Sequence, residues 1–361
     1  MTLFSFVLAT WALLPLGLLA PIAQGQPPAS SETLVVQDRD SANSTPLSDF
    51  AKLRRELHFQ LMQAIDRLDP YVPNEGLKGK IVLSGSTTMN DLEHRWARNL
   101  GSLQPQLELS VTSDGSEAAL KALANDPKLV IGVSRPVDEA DLKYLQAGKC
   151  KEPVAIVIGL EALAVAVHAK NPLDRITPET IKAIFAADKD GLPSAKNWSD
   201  VGVSGDLAPR PIQIYERDGN SGTSVFLSRS LLAGASLSKP FQICDSNNEI
   251  CSRIANDQNG VGIADIHTSY ASIRRLPVLV NGVVTEATEE NVLLGRYPLI
   301  RPLLLVFDKQ EMKDDNKLRE SMIRYVLSRD GQVAVIGAGF FPLDAGFIQH
   351  QLNECVGQQL R

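Results

Sequence analysis

A short apolar run that ends in a hydroxyl- and glycine-rich turn, then opens into a helical pattern, occurs three times in this chain. That repetition limits the fold more than any other feature. Lys80-Ile81-Val82-Leu83 leads through Ser84-Gly85-Ser86-Thr87-Thr88-Met89 into a helical pattern from Asn90 to Leu100. Leu107-Glu108-Leu109-Ser110-Val111 leads through Thr112-Ser113-Asp114-Gly115-Ser116 into the helix of Ala118, Ala119, Leu120 and Leu123. Pro211-Ile212-Gln213-Ile214-Tyr215 leads through residues 216–224 into Val225 to Leu232. A further strand, Leu129 to Val133, ends in Ser134-Arg135-Pro136. Strands alternating with helices predict an α/β fold with a largely parallel sheet. In such folds ligands bind outside the carboxyl ends of the strands, and the three turns point helix N-termini from those edges.

The remaining runs predict how the sheet is divided. Val154 to Gly159 and Leu163 to Val167 read as strands around a hinge near Gly159. Thr177-Pro178-Glu179 starts a helix that carries Ile181, Ile184 and Phe185 on one face. Leu303 to Phe307 supplies a return crossing, and Met322 to Leu327 a late helix. Two crossings make two lobes with a cleft between them. The expected division is 80–160 with 303–361 as the first lobe and 161–302 as the second.

The start reads as an export signal. Leu3 to Ala20 is almost entirely apolar and is followed by Ala23-Gln24-Gly25, a small-x-small cleavage pattern. Residues 1–25 are expected to be a signal peptide, which places the chain in the periplasm or outside the cell. The rival reading is an uncleaved membrane anchor. The first basic residue is Arg39, so the usual positive start is missing, while Pro15, Gly17 and Pro21 interrupt a run that is short for a span. Residues 26–79 form an N-terminal extension. Its amphipathic helix, with Phe50, Leu53, Leu57, Leu61, Ile65 and Leu68 at helical spacing, packs on the main body or on a partner.

Four cysteines in an exported chain suggest bridges. Cys244 and Cys251 close a small loop and form the expected disulfide, and Cys150 with Cys355 is the weaker second pairing. No CxxC occurs and the five histidines are scattered, so no metal or other cofactor is expected. A net charge of −6 argues against a nucleic-acid surface, though it does not prevent local donors from holding an anion.

The third turn, Glu216-Arg217-Asp218-Gly219-Asn220-Ser221-Gly222-Thr223-Ser224, shows the chemistry best. A helix N-terminus has unpaired backbone N–H groups and a partial positive charge. Two hydroxyls, an arginine and a glycine that admits close backbone approach equip it for a small oxyanion. Taken alone it is equally an ordinary capped helix with Arg217 in a surface ion pair. Three such turns, with arginines at two strand ends, favour oxyanion binding. The candidate ligands are Ser86, Thr87, Thr88, Ser113, Ser116, Arg135, Arg217, Ser221, Gly222 and Thr223.

Arg217 to Thr223, in order with Asn171-Pro172-Leu173-Asp174-Arg175-Ile176-Thr177, Ile184-Phe185, Asn197-Trp198, Gly260-Val261-Gly262-Ile263 and Tyr297-Pro298-Leu299-Ile300-Arg301-Pro302, resembles a known family. It closes with Gly331-Gln332 and Gly339-Phe340. The family is the phosphate-binding proteins of bacterial phosphate import systems. The likeness runs from about Lys80 to Leu343 and leaves out the N-terminal extension. It implies the two-lobed periplasmic binding-protein fold of type II, with phosphate held in the interlobe cleft for delivery to a membrane ABC permease. Arg217, Ser221, Gly222 and Thr223 match the family's spacing, Thr88 matches the first-turn hydroxyl and Ser113 the second-turn serine, with Ser116 brought in if the alignment slips. One departure concerns selectivity. The family's aspartate after the serine of the third strand accepts a hydrogen bond from protonated phosphate, and here that place is Ser134-Arg135. Arginine offers donors only. It strengthens anion binding without that discrimination, or it turns away into an ion pair.

The expected function is therefore an exported, monomeric binder of inorganic phosphate or a similar tetrahedral oxyanion. No nucleophile–base pair has a local signature, so binding without catalysis is expected. The alternatives are an exported phosphatase-like enzyme that uses the same cradle, and an adhesion or sensing module on the same fold.

Overall fold

The computed structural model describes residues 59 and 61–355, apart from 189–190, 192, 220, 239–240, 269 and 314–316. The leader, the proposed anchor and the helix positions Phe50, Leu53 and Leu57 lie outside the described residues. Among the described residues no helix is long and apolar enough to cross a membrane.

The strand–turn–helix alternation forms as expected over the first third of the chain. β1 (Gly79–Gly85) pairs parallel with β2 (Leu107–Thr112) and with β3 (Val130–Val133). Between them run α1 (Asn90–Leu103) and α2 (Ser116–Asn125). Leu92, Trp96 and Leu100 of α1 are buried at the spacing that places them on one helix face. The indole of Trp96 also donates to Gly331 O at 3.1 Å, which satisfies the ring's single donor inside the core.

The sheet is more mixed than expected. β4 (Pro153–His168) is one strand of 16 residues where the sequence reads as two. Its first part pairs antiparallel with β11 (Ile300–Asp308), which also pairs antiparallel with β3. Its last part pairs antiparallel with β7 (Gly260–Asp265), and β7 pairs parallel with β5 (Gln213–Arg217), which pairs parallel with β6 (Gln242–Cys244). The strand order is β2-β1-β3-β11-β4-β7-β5-β6, with β8 (Ile273–Arg275) also pairing antiparallel with β4, while β9 (Val278–Val280) and β10 (Val283–Thr285) form a separate antiparallel pair. Two parallel groups are thus joined through antiparallel seams along β4 and β11. At Gly159, where a hinge is expected, a register shift lets Leu303 face Gly159 and Leu304 face Val157. A β-bulge of this kind bends a strand without ending it. A Cβ on Gly159 would meet Val335 Cγ1 at 3.0 Å, so the small residue here also admits close packing.

The described end of the N-terminal extension belongs to the body. Leu61, Ile65, Leu68 and Tyr71 are buried in the main core. Arg329 N donates to Asp69 O at 3.0 Å, Tyr71 N to Asp330 Oδ2 at 2.7 Å, and Tyr71 Oη and Ser321 Oγ share a hydrogen bond. The helical spacing at 61–68 therefore marks a face that covers residues near the chain's other end.

The expected disulfide is not formed. Cys244 and Cys251 are free thiols, as are Cys150 and Cys355. Cys244, at the end of β6, and Cys251, within the helix Asn247–Ala255, sit in the same small apolar cluster. Their sulfurs point to different carbonyls, Gln242 O at 3.8 Å and Thr268 O at 3.9 Å. Sequence proximity closes the loop but does not set the two side chains face to face, as an S–S bond requires. Burial pushes the Cys244 thiol up to about 11 and the Cys251 thiol up to about 12.

Candidate functional site

Ser134, just past β3, is where the three turns meet. Its hydroxyl lies 2.7 Å from Ser86 Oγ of the first turn, and its amide donates to Ser116 Oγ of the second at 3.3 Å. The third turn arrives at the same point. A Cβ built on Gly222 would stand 2.0 Å from Ser134 Oγ and 3.0 Å from Ser116 Oγ. Only a residue without a Cβ lets the backbone come this close.

Each turn is shaped by its own hydroxyl. Ser86 Oγ accepts from Thr88 N at 3.2 Å and caps the short 3-10 turn Thr87–Met89 that feeds α1. Gly115, at φ +97°, turns the chain into α2, whose first residue is the fully buried Ser116. Ser221 Oγ accepts from Ser224 N at 3.1 Å and caps α3 (Gly222–Phe226). The first-turn amides of these helices have no helical carbonyl to bond. Ser113 Oγ is buried and has no hydrogen-bond partner among the described residues.

Two arginines reach these turns. Arg217 is the last residue of β5 and not part of the following loop as the sequence suggests. Its Nε donates to Cys244 O at 3.2 Å and its Nη2 to Thr87 Oγ1 at 3.1 Å, so it links the third turn to the exposed end of the first. Burial, then the neighbouring charge of Arg301, lowers its pKa from the ordinary arginine value. Arg301 stands in β11 opposite Glu161 of β4 and is fully buried. Its Nε donates to Glu161 Oε2 at 2.7 Å, and its Nη2 reaches Thr88 Oγ1 at 3.2 Å and Thr223 Oγ1 at 3.0 Å. Burial raises the pKa of Glu161, while the charge of Arg301 opposes that rise. Glu216 supports the third turn from beneath, accepting from Arg217 N at 2.9 Å. Burial pushes its carboxyl up to about 7, against the pull of that amide, of Ser224 and of both arginines.

Arg135 does not join them, and the expectation that it offers donors to an anion is corrected in favour of the ion pair. Its Nε and Nη2 donate to Glu117 Oε1 at 2.8 and 2.6 Å. Its Nη1 donates to Asp141 Oδ2 at 2.6 Å and Pro136 O at 2.8 Å, and its Nη2 to Asp141 Oδ1 at 3.0 Å. These contacts occupy all five N–H donors of a guanidinium. Burial works against the charge, but Asp141 and Glu117 outweigh it and raise the pKa above the ordinary value.

The structure thus brings Ser86, Thr88, Ser116, Gly222 and Thr223 together around Ser134 and Arg301, with Thr87, Arg217 and Ser221 beside them. Ser134 and Arg301 were not among the sequence-predicted ligands. A lone arginine in the apolar run Ile300–Asp308, matched by a lone glutamate in the apolar run Pro153–His168, is the signal that points to Arg301. A surface cavity of about 230 Å3 lined by Lys170, Asp206 and Arg210 contains none of these residues. Chemically, the turns present hydroxyls, amides and guanidinium groups on one small volume, which is the donor set for an oxyanion.

Comparison with known proteins agrees with this fold. The phosphate-binding protein PstS of Pseudomonas aeruginosa is 27% identical over 299 residues, spanning 81% of this chain and 93% of that protein. An ABC-type phosphate transport receptor from Vibrio cholerae superposes with a TM-score of 0.61 at 18% identity, over 73% of this chain and all 100% of the other. A structure from Clostridium perfringens with bound phosphate superposes with a TM-score of 0.59 at 23% identity, again over 73% of this chain and 100% of that one. The match to the PBP superfamily domain spans residues 72–330. The chain therefore belongs to the PBP superfamily, with the two-lobed α/β fold of its structural neighbours.

Proposed function

We propose that this chain is an exported solute-binding protein that holds inorganic phosphate in the cleft between its lobes and passes it to a membrane ABC permease. The observation that carries the reading is the convergence of the three turns on Ser134, with Gly222 brought against it. The relatives named for phosphate binding support the choice of anion. In this reading one lobe is 80–160 with 303–361 and the other is 161–302. The first and second turns approach the phosphate from the first lobe and the third turn from the second. Amides of the α2 and α3 first turns, the hydroxyls of Thr88, Ser113, Ser116, Ser221 and Thr223, and Arg217 donate to its oxygens. Lobe closure excludes water and strengthens each of these bonds by lowering the local dielectric. The residues bind and orient, and no bond of the ligand is broken. The leader 1–25 exports the chain, and the protein acts as a monomer.

Thermal stability of the anion-stripped protein tests this reading, with phosphate and sulfate titrated side by side. Ligand at a hundred times its dissociation constant adds about 2.7 kcal/mol of stability. A rise in melting temperature with phosphate is expected. Equal rises with both anions would assign a general oxyanion binder, since the aspartate of the resemblance is replaced by Arg135 and that arginine faces away. No rise with either would overturn the reading.

A further inference from the structure

We propose that Arg301 is a direct ligand of the bound anion and that Glu161 positions it. This rests on the phosphate reading of the cleft.

Arg301 is fully buried, and a buried guanidinium needs acceptors for each of its five N–H groups. Glu161 Oε2 accepts from Nε at 2.7 Å and lies 2.6 Å from Nη2. Thr88 Oγ1 and Thr223 Oγ1 share the rest of Nη2. Nη1 is also buried and has no partner among the described residues. Arg135, the other fully buried arginine near the turns, has every donor satisfied by its own carboxylates and Pro136 O. An unmade bond from a buried cation carries the group's full desolvation penalty, so an acceptor belongs at Nη1.

Geometry then identifies the acceptor as the anion of the cleft. The guanidinium is a rigid planar fork, so fixing Nε and Nη2 also fixes the direction of Nη1. The fixing groups come from both sides of the site, Thr88 from the first turn and Thr223 from the third. Each hydroxyl accepts from the guanidinium and must aim its own proton elsewhere, which leaves both free to donate to the same anion. Arg217 stands close enough for Arg301 to depress its pKa, and two like charges held together in a buried place favour a negative group between them. Arg301 would thereby bind one anion together with both turns, and its pairing with Glu161 sets the angle of approach.

Titration calorimetry of inorganic phosphate into wild type, Arg301→Gln, Arg301→Lys, Glu161→Gln and Glu161→Asp tests the proposal. Loss of a charged hydrogen bond corresponds to a fall in affinity of about tenfold to a hundredfold. Arg301→Gln should weaken binding by about a hundredfold or more, and Arg301→Lys by at least about tenfold, because a point charge cannot hold Glu161 and the anion together. Glu161→Gln should weaken binding while Glu161→Asp restores part of it, which a purely structural role would not produce at equal melting temperature. Arg301→Gln leaves Glu161 buried alone and could prevent folding. The paired change of Arg301→Gln with Glu161→Gln removes both charges and should fold and bind as weakly as the single variant. Guanidinium nitrogen spectra of the wild-type protein give a readout without substitution, in which phosphate should slow proton exchange at Arg301 Nη1. Wild-type affinity in a folded Arg301 variant, or an Arg301 signal unmoved by saturating phosphate, would overturn this proposal and leave the phosphate reading intact. Failure of the wild type to bind phosphate would overturn both.

Discussion

Gly222 and Ser134 lie so close that a Cβ on Gly222 would stand 2.0 Å from Ser134 Oγ. The contact joins the end of β3 to the first turn of α3, two elements from different parallel groups of the sheet. Replacing Gly222 with alanine must push α3 away from Ser134 and Ser116. The amides and hydroxyls of the third turn then no longer meet those of the first two. Phosphate affinity in Gly222→Ala should fall by about a hundredfold, the equivalent of losing one or two charged hydrogen bonds. Calorimetry checks this, and wild-type affinity would show that the close approach is not needed for binding.

The pairing of Arg135 with Glu117 and Asp141 predicts a split between stability and binding. The Arg135 side chain is fully buried and that of Asp141 is 9% exposed, with the charges 2.6 Å apart. Removing Asp141 leaves the buried guanidinium paired with Glu117 alone and two of its N–H groups without an acceptor, which costs about 1–3 kcal/mol. Asp141→Ala also removes the cap that Asp138 and Asp141 form at the start of the helix Glu139–Ala147. The variant should unfold at clearly lower denaturant while its phosphate affinity stays within about twofold of wild type. A large change of affinity in the folded variant would show that the Arg135 cluster and the anion site are coupled.

Much of this was legible in the sequence because the alternation of strand, hydroxyl turn and helix is local. Thr177 caps a helix that runs from Pro178, as read, and Ile181, Ile184 and Phe185 are buried on it together. The direction of Arg135 was not legible, since Glu117 and Asp141 reach it only after α2 and the helix Glu139–Ala147 have packed. The same holds for Arg301. Its partner Glu161 lies 140 positions away in sequence, and only the β4–β11 pairing puts the two side by side. The cysteines show the opposite error. A loop of suitable length invites a bridge, but the orientation of each thiol follows from a strand end and a helix turn that the spacing does not encode.

The free thiols can be counted. The chain has four cysteines, none bridged. Unfolded protein in a non-reducing buffer should take up four maleimides by mass spectrometry. The folded protein should label Cys355 first, because it alone of the four is only half-buried. Uptake of two labels after unfolding would establish a bridge.

Glu93 sets a pH dependence of stability away from the anion contacts, in the same direction as the raised carboxyl of Glu216 beneath the third turn. Its side chain is fully buried on α1, both oxygens lack partners among the described residues, and a Cβ on Gly85 or Gly132 would meet Oε1 at 2.4 or 2.1 Å. Two facing glycines thus make room for the carboxyl, and burial pushes it up to about 8 from an ordinary 4.5. The folded state therefore binds a proton more tightly than the unfolded state. Stability from this group is fully present below pH about 4.5 and is lost as pH rises through about 8. The loss at high pH is on the order of a few kcal/mol. Wild-type melting temperature should fall between pH 5 and pH 8.5, and Glu93→Gln should make that fall shallower because an amide does not ionise, the remainder coming from Glu216. Parallel profiles for the two proteins would show that Glu93 is charged in the folded chain at neutral pH, with a partner for its charge that the packing of α1 against β1 and β3 does not provide.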